Sequence, residues 1–379
     1  MPRTDIIQEY LFASIDEKLE KLAKKGIDVI SFGVGDPDSP PPEKLINKLG
    51  AIIKNKDMHN YSPYVGTLEF RQSAAAYMHK RYGVNFNPNT EVVGLIGSKE
   101  GIGNTVIAYT QKGSLNLVPS LSYPIPRTMT KLAGGKVFSL HLTKENNFLV
   151  DFDKIPVETA NQATLLYLNY PNNPTGVGAE LDFYEKALAF AEKHDLIIIS
   201  DNAYGEIYFD TKPHSFFEIA GAKKRVLEYH SLSKMFNITG WRLAFALGSP
   251  QLLKPLKVMK TNMDSGQFKP LQLAAGWALE NLIDDFGEKQ RKTYRQRLNA
   301  LKDELVKLGA KVELPGGTFF LWGETPEGMS SNDFTEFLLE KYGIFVTPGN
   351  MFGEDGEGFF RASLTVSDER LQQALARFK

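Results

Sequence analysis

Short apolar runs that alternate with amphipathic helical segments are the feature that most constrains the fold of this chain. The runs between residues 45 and 270 include TEVVGLIG (90–97), ATLLYLNY (163–170), DLIIIS (195–200), RVLEYH (225–230) and RLAFALG (242–248). Continuous apolar runs of this length are typical of parallel strands that are buried on both faces of a sheet. The pattern therefore predicts an α/β fold built around a mostly parallel central sheet.

The last third of the chain has a different pattern. Its predicted elements are a long amphipathic helix, LIDDFGEKQRKTYRQRLNALKDELVKLG (282–309), and two strands, PGGTFFLW (315–322) and FFRASLTV (359–366). A chain of 379 residues exceeds the size at which one hydrophobic core stops growing. We therefore expect a large domain at residues 45–270, and a small α+β domain formed by residues 1–44 together with residues 271–379.

Composition and charge exclude several classes of function. The chain has no cysteine, which excludes disulfides, thiol nucleophiles and thiolate metal sites, and its six scattered histidines do not predict a metal centre. A formal net charge of −1 gives no positive field for nucleic acid or an anionic membrane. No apolar run approaches the roughly 20 residues that span a bilayer, and the N-terminus lacks the apolar core of a signal peptide. We therefore expect a cytoplasmic protein without nucleic-acid or membrane partners.

The stretch HSLSKMFNITGWR (230–242) places a lysine, Lys234, just beyond the end of a predicted strand. In open α/β sheets, ligands bind beyond the carboxyl ends of the strands. A lysine in such a place can attack a carbonyl carbon if desolvation keeps part of it neutral. The hydroxyls of Ser231 and Ser233, together with the guanidinium of Arg242, are suited to a phosphate. The alternative interpretation is a surface lysine in a polar loop.

Two more predicted strands end in polar side chains of complementary chemistry. Asp201 follows the apolar run DLIIIS, and a buried carboxylate there needs a cation such as a protonated heteroaromatic nitrogen. Tyr204 is placed to donate a hydrogen bond to a phenolate-type oxygen. Alone, Asp201 has the alternative interpretation of a helix N-cap, and Asn173 in PNNPTG that of a turn residue. Three strands that end in this way favour a shared ligand site.

A fourth strand, in LIGSKEGIG (95–103), ends in a glycine that is followed by Ser98 and Lys99 at the start of a predicted helix. Backbone N–H groups at a helix N-terminus bind anions, and a hydroxyl and an ammonium group add to this attraction. The segment is not a Walker A loop, because the Gly-Lys-Ser/Thr ending is missing. GVGDPD likewise lacks the third glycine of a dinucleotide-binding fingerprint.

Together and in this order, the motifs resemble those of the class I/II aminotransferases, which are fold-type I pyridoxal-phosphate enzymes. The resemblance covers essentially the whole chain, and its most specific part is SLSK (231–234) with Arg242 eight residues on. Asp201-x-x-Tyr204 and Asn173-Pro174-Thr175-Gly176 complete the pattern. It implies pyridoxal 5'-phosphate as cofactor. It also implies a transaminase that moves an α-amino group between an amino acid and a 2-oxo acid by a ping-pong mechanism.

The resemblance also implies a role for each matching residue. Lys234 matches the lysine that holds the cofactor covalently and moves the proton at the substrate Cα, and Asp201 matches the partner of the ring nitrogen. Asn173 and Tyr204 match the groups that bind the phenolic oxygen, and Tyr123, in SYP, matches the aromatic that stacks on the ring. The residues that match the phosphate site are Ser98, Lys99, Ser231, Ser233 and Arg242.

Substrate contacts and assembly follow from the same resemblance. Arg361, in FFRASL, matches the arginine that binds the substrate α-carboxylate. Tyr61, in YSPYVG, matches a tyrosine that reaches the phosphate in the neighbouring subunit, which implies a homodimer with shared active sites. The residues expected to contact the substrate are Tyr10, Gly35, Asn173, Arg361 and, from the partner subunit, Asn262.

Within the family, the chain most resembles the LL-diaminopimelate aminotransferase group and its near relatives. The segments that carry this likeness are EYLFASIDEK, VISFGVGDPD, YSPYVGTLEFR, GSKEGI and KTNMDSGQF. The loop NLVPSLSYPIPRTMTKLAGG keeps Tyr123 but lacks the acidic-Pro-Gly-Tyr-Pro motif that is usual in the family. Residues 243–290 also contain no arginine, so the distal-carboxylate arginine of aspartate aminotransferases is missing. The likeness favours transfer between LL-diaminopimelate and 2-oxoglutarate.

Other functions remain open at this point. Alanine, aspartate and broad-range aminotransferases share much of the pattern. A pyridoxal-phosphate-dependent β-lyase uses the same lysine, aspartate and arginine to eliminate a leaving group. A more remote alternative is a regulatory protein that keeps the fold and has no catalytic activity.

Overall fold

A seven-stranded sheet forms the centre of the chain between residues 92 and 247. The computed structural model describes residues 3–7 and 19–379. The strands of all sheets in these residues are, in chain order, β1 (Ile30–Ser31), β2 (Val92–Leu95), β3 (Leu115–Pro119), β4 (Lys136–Leu140), β5 (Ala163–Leu168), β6 (Ile197–Asn202), β7 (Val226–Ser231), β8 (Ala244–Leu247), β9 (Lys311–Val312), β10 (Phe320–Glu324), β11 (Ile344–Phe345), β12 (Thr347–Pro348) and β13 (Phe359–Ser363). The large sheet has the order β2-β8-β7-β6-β5-β3-β4. Its five strands from β3 to β7 run parallel, which confirms the predicted α/β fold.

The direction of β8 differs from the prediction. β8 contains most of RLAFALG and is antiparallel to both of its neighbours, β7 and β2. Between β7 and β8 the chain forms only a four-residue helix, Leu232–Met235, and one 3-10 turn, Thr239–Trp241. A parallel connection needs a crossover that usually contains a full helix. The chain therefore turns back directly beside β7, so that Lys234 lies within the connection.

The helices alternate with the strands of the large sheet and then become longer. In chain order they include α1 (Glu43–Ile52), α2 (Leu68–Tyr82), α3 (Ser98–Tyr109), α4 (Ile125–Leu132), α5 (Val157–Gln162), α6 (Leu181–Lys193), α7 (Leu232–Met235), α8 (Pro250–Met263), α9 (Lys269–Asn281), α10 (Ile283–Lys307), α11 (Ser331–Tyr342) and α12 (Asp368–Arg377). The long helix that the sequence predicts is α10, whose buried residues recur every three or four positions from Ile283 to Leu305. None of the helices described for residues 3–7 and 19–379 is long and apolar enough to cross a membrane.

A second sheet is built from the last third of the chain. Four strands pair antiparallel in the order β12-β13-β10-β9, while β1 pairs with β11 in a separate two-stranded sheet. Leu298 and Leu301 of α10 share a core with Leu321 of β10 and Phe360 of β13. The sequence predicts a strand at PGGTFFLW (315–322), whereas β10 begins only at Phe320. Gly317, within the predicted strand, instead forms an isolated bridge with Tyr208 outside this sheet. The second sheet thus has its own hydrophobic core.

The helix α9 lies at the predicted boundary between the domains. Its residues Ala274 and Ala278 share a hydrophobic core with Phe70 and Ala74 of α2. The helix therefore packs with the helices around the large sheet, although the sequence prediction assigned residues 271–379 to the small domain. The division of the chain into two domains at residue 270 stays a prediction.

Segment 32–38 connects the two sheets. At its start, the backbone carbonyl oxygen of Phe32 accepts a hydrogen bond from the N–H of Ser363 in β13 at 2.7 Å. In its middle, the backbone carbonyl oxygen of Gly35 accepts a hydrogen bond from Nζ of Lys234 at 3.0 Å. At its end, Arg297 of α10 binds both carboxylate oxygens of Asp38, at 2.6 and 3.1 Å. Arg297 therefore fixes the segment that faces Lys234.

We predict that Arg297→Ala lowers the free energy of unfolding by about 3 kcal/mol, because it leaves a partly buried carboxylate without its cation. The Arg297 side chain is only 4% exposed, and its Nε also donates to Asp368 at 2.7 Å. Arg295→Ala is the matched control, since that arginine pairs with Asp210 at 3.3 Å near the surface. It should cost less than about 1 kcal/mol. Equal losses in urea-induced unfolding would contradict the special role of Arg297.

Candidate active site

A cavity of about 450 Å³ lies where three neighbouring parallel strands end. Asn169 follows β5, Asp201 is at the end of β6, and Ser231 ends β7. The cavity is lined by twelve of the predicted site residues: Gly35, Ser98, Lys99, Tyr123, Asn173, Asp201, Tyr204, Ser231, Ser233, Lys234, Arg242 and Arg361. The structure therefore brings residues that are far apart in the sequence to one place, at the carboxyl ends of the strands.

Two predicted site residues that the structure describes, Tyr61 and Asn262, do not line this cavity. Tyr61 is 88% exposed, and Asn262 is exposed with its Nδ2 donating to the backbone carbonyl of Val258 at 2.8 Å. Tyr10 lies outside the described residues. The roles expected of Tyr61 and Asn262 concern a neighbouring subunit, so they stay predictions.

Lys234 is held at the end of β7 by the short helix α7. Ser231 caps this helix, because its hydroxyl oxygen accepts a hydrogen bond from the N–H of Ser233 at 3.3 Å. The pKa of Lys234 is lowered to about 8, mainly by burial; the carboxylate of Asp36 opposes this shift, and the positive charges of Arg242 and Arg361 add to it. About one tenth of the amine is therefore neutral at pH 7, and the neutral amine is the form that reacts with a carbonyl carbon.

Asp201 is a buried carboxylate with one oxygen satisfied and one not. Its Oδ2 accepts a hydrogen bond from the hydroxyl of Tyr167 at 2.9 Å, while its buried Oδ1 has no hydrogen-bond partner among the described residues. The pKa of Asp201 is raised to about 6, because the effect of burial exceeds the opposing effects of the Tyr167 hydrogen bond and the nearby His230. Asp201 caps no helix, since β6 continues to Asn202. The open oxygen calls for a donor or cation from a ligand.

Arg242 lies against the N-terminus of α3 on another side of the cavity. Gly97 precedes this helix with φ +106°, and a Cβ added there would lie 2.5 Å from Nη2 of Arg242. Any larger residue would therefore displace the guanidinium and also strain the backbone. The N–H groups of a helix N-terminus, an arginine and the neighbouring hydroxyls of Ser98, Ser231 and Ser233 together form a site suited to a phosphate.

Arg361 comes from β13 in the second sheet and is only 1% exposed. Its Nη2 donates to the carbonyl oxygen of Gly33 at 2.5 Å, and its Nη1 donates to Oδ1 of Asn173 at 2.9 Å. The guanidinium lies over the rings of Phe320 and Phe352, at 4.4 and 4.6 Å from their centroids. These contacts fix an arginine at the cavity wall, where it can bind a carboxylate.

Several residues of the site were not predicted from the sequence. The cavity is also lined by Val34, Asp36, Asn169, Ala203, Thr239, Gly240 and Phe320. Asn169 links two strand ends, since its Nδ2 donates to the backbone carbonyl of Asp201 at 2.7 Å and its Oδ1 accepts from the N–H of Asn173 at 2.9 Å. Its position as a polar residue after the apolar run ATLLYL is a signal that identifies it. No group of three or more potential metal ligands is found in residues 3–7 and 19–379.

The sequence profile of the family "Aminotransferase class I and II" matches residues 27–378 of the chain. The chain belongs to the class I and II aminotransferases. Among curated relatives, this aminotransferase is 45% identical over 381 residues to "LL-diaminopimelate aminotransferase 2" of Nostoc sp., covering all of this chain and 97% of that protein. The sequence similarity extends over the whole length, so it includes the residues of both sheets and the residues that line the cavity.

Two solved structures are similar to this aminotransferase over nearly its whole length. Substrate-bound BacF from Bacillus subtilis superposes with a TM-score of 0.93 at 35% identity, over 98% of this chain and 95% of that one. A probable N-succinyldiaminopimelate aminotransferase from Thermus thermophilus has a TM-score of 0.91 at 33% identity, over 97% of this chain and 99% of that one. The family and its fold-type I architecture are therefore established for this chain.

We predict that Lys234 reacts with amine reagents with a pH midpoint of about 8, well below the ordinary lysine value of 10.5, because burial disfavours its charged form. Brief labelling of the cofactor-free aminotransferase over a pH series, followed by mass spectrometry of the Lys234 peptide, measures this midpoint. In Asp36→Asn the midpoint should move lower, since the carboxylate that stabilises the ammonium is gone. A midpoint near the ordinary lysine value, or one that ignores Asp36→Asn, would contradict the description of the site.

Proposed function

We propose that this aminotransferase binds pyridoxal 5'-phosphate, covalently through Lys234, in the cavity at the strand ends. The observation that carries the proposal is the buried Oδ1 of Asp201, which has no partner among the described residues and suits a protonated ring nitrogen. The anion site formed by Arg242, Ser231, Ser233 and the N-terminus of α3 suits the phosphate group. The cavity thus offers a carboxylate for a cationic ring and a cationic site for a phosphate.

The roles of the chain's own groups follow from their surroundings. When bound, pyridoxal phosphate withdraws electrons from the substrate Cα and so weakens its C–H bond. Lys234, whose lowered pKa leaves part of its amine neutral, is the base that takes and returns the proton at that carbon. Arg361 binds the α-carboxylate of the substrate through its guanidinium, which is held by Gly33 and Asn173.

Other residues orient the ring of the cofactor. Oδ1 of Asn173 accepts from Arg361, so its Nδ2 is the atom that can donate to the phenolic oxygen. Tyr204 packs edge-on against Phe319 and Phe320, with centroids 5.6 and 5.5 Å away, and these contacts fix its ring at the cavity wall. Tyr123 lines the same cavity and is assigned to stacking on the cofactor ring.

We assign LL-diaminopimelate as the amino donor and 2-oxoglutarate as the acceptor. The support is the name of the 45% identical relative of Nostoc sp. and the full-length match to it. The absence of arginine from residues 243–290 argues against the type of dicarboxylate site that aspartate aminotransferases use. A donor with a second amino group also suits a cavity that Asp36 lines with a carboxylate. The competing donors are alanine, glutamate and N-succinyldiaminopimelate.

The proposal includes a cytoplasmic homodimer with shared active sites. Tyr61 and Met263, 88% and 65% exposed in the single chain, are the two most exposed of the large hydrophobic side chains among the described residues. A second copy that covers them would bring Tyr61 to the phosphate and Asn262 to the substrate. Neither nucleic acid nor a membrane has a part in this proposal.

We predict that the protein reconstituted with pyridoxal phosphate is converted to its amine form by LL-diaminopimelate faster than by alanine, glutamate or N-succinyl-LL-diaminopimelate. The measurement is a half-reaction screen in which each donor is added and the absorbance change is followed. Lys234→Ala should abolish conversion because it removes both the covalent link and the base. Lys254→Ala, an exposed lysine on α8, is the matched control and should leave the rate unchanged.

The outcomes of the screen separate the parts of the proposal. Conversion by alanine or glutamate without conversion by LL-diaminopimelate rejects the donor and leaves the cofactor. Release of ammonia without formation of an amino acid from the added 2-oxo acid indicates β-elimination instead of transfer. A protein that acquires no visible absorbance with pyridoxal phosphate rejects the cofactor itself.

A further inference from the structure

Tyr167 lies directly behind Asp201 and has no role among the residues predicted from the sequence. It belongs to β5 and pairs in register with Ile199 of β6, so Asp201 is two positions further along the neighbouring strand, on the same face of the sheet. Tyr167 is only 1% exposed. Its hydroxyl donates to Oδ2 of Asp201 at 2.9 Å.

This hydrogen bond fixes the orientation of the Asp201 carboxylate, which apolar packing alone would not do. Burial and the nearby charge of Asp201 raise the pKa of Tyr167 well above its ordinary value, so the phenol stays protonated and always donates. A carboxylate oxygen that accepts from a fixed donor is held in one orientation. With Oδ2 engaged in this way, Oδ1 is the oxygen that remains for a ligand in the cavity.

The groups around Asp201 leave Tyr167 as the main side-chain donor. From β7, His230 acts on Asp201 through its charge, yet its Nε2 is paired with Glu228 at 2.8 Å on the other face of the sheet. From the segment after β6, the backbone N–H of Ala203 also lowers the pKa of Asp201. Burial has the larger effect and raises this pKa to about 6. Without Tyr167, the carboxyl group would therefore hold its proton at higher pH.

We propose that Tyr167 is a positioning residue that keeps Asp201 ionised and directs its Oδ1 to the protonated ring nitrogen of the cofactor. This inference rests on the proposed function, because it needs a cofactor that carries a ring nitrogen. Tyr167 should therefore increase the affinity for a cofactor only if that cofactor has a ring nitrogen.

The test compares two cofactors in the Tyr167→Phe variant. The apoenzyme is titrated with pyridoxal 5'-phosphate and with deazapyridoxal 5'-phosphate, in which carbon replaces the ring nitrogen. Loss of a hydrogen bond to a charged group should weaken binding of pyridoxal phosphate about tenfold. Binding of the deaza compound should be unchanged, because it has no nitrogen for Asp201 to face.

The same titration has a pH dependence of known sign. Tyr167→Phe raises the pKa of Asp201 further, so the carboxyl group is protonated over a wider range of pH. The loss of pyridoxal phosphate affinity should therefore grow as the pH falls from about 8 to about 6. A purely structural effect of the lost hydroxyl would be the same across this range.

Tyr229→Phe is the matched control. Tyr229 is a fully buried tyrosine on β7, which flanks β6 on the side opposite to β5, and its hydroxyl bonds with Thr105 at 2.5 Å instead of with Asp201. Removing this hydroxyl should leave the ratio of the two affinities as in the unmodified protein. Near-ultraviolet circular dichroism of both variants confirms that they are folded.

Each other outcome rejects a defined statement. If Tyr167→Phe weakens binding of both cofactors equally, or of neither, the role of Tyr167 is rejected and the proposed function stands. If the unmodified protein binds the two cofactors equally, the contact of Asp201 with the ring nitrogen is rejected, and the role of Tyr167 with it. If it binds neither cofactor, the proposed function fails.

Discussion

The structure of the site depends on one constraint, which is the burial of the Asp201 carboxylate at the end of β6. Leaving a buried charge uncompensated costs about 3–5 kcal/mol, so such a group persists only where its surroundings or a ligand stabilise it. The hydroxyl of Tyr167 satisfies Oδ2, and Oδ1 has no partner in the described part of the chain. In the proposed function, a ligand with a cationic ring and an anionic group supplies the missing partner of Oδ1 and binds the other polar groups of the cavity.

In the proposed function, the second sheet contributes the substrate side of the site. Arg361 reaches the cavity from β13 and is fixed by Gly33, in segment 32–38, and by Asn173, in the loop after β5. Segment 32–38 is itself anchored by Arg297 and accepts a hydrogen bond from Lys234. The groups with proposed catalytic and substrate-binding roles are therefore positioned by one connected set of hydrogen bonds. A substitution of Arg297 should therefore alter the positions of the cavity residues, although the Arg297 side chain does not line the cavity.

Much of the fold and of the cavity follows from the sequence, because polar residues at the ends of apolar runs mark the carboxyl ends of buried strands. This logic located Asn173, Asp201 and Lys234, which lie together in the structure. It did not give the direction of β8, which depends on how little chain connects it to β7. Nor did it identify Tyr167, since a tyrosine in an apolar run has the pattern of a core residue. Its hydrogen bond to Asp201, on which its proposed role rests, appears only when β5 and β6 are aligned.

Asp201 is expected to hold a protonated ring nitrogen, and nitrogen-15 magnetic resonance of the protein reconstituted with ring-labelled pyridoxal phosphate measures the protonation of that nitrogen. We expect the chemical shift of a protonated nitrogen at neutral pH in the unmodified protein. In Asp201→Ala we expect the shift of an unprotonated nitrogen, because that variant lacks the carboxylate that stabilises the charge. An unprotonated nitrogen in the unmodified protein, or a protonated one in both proteins, would exclude this role of Asp201.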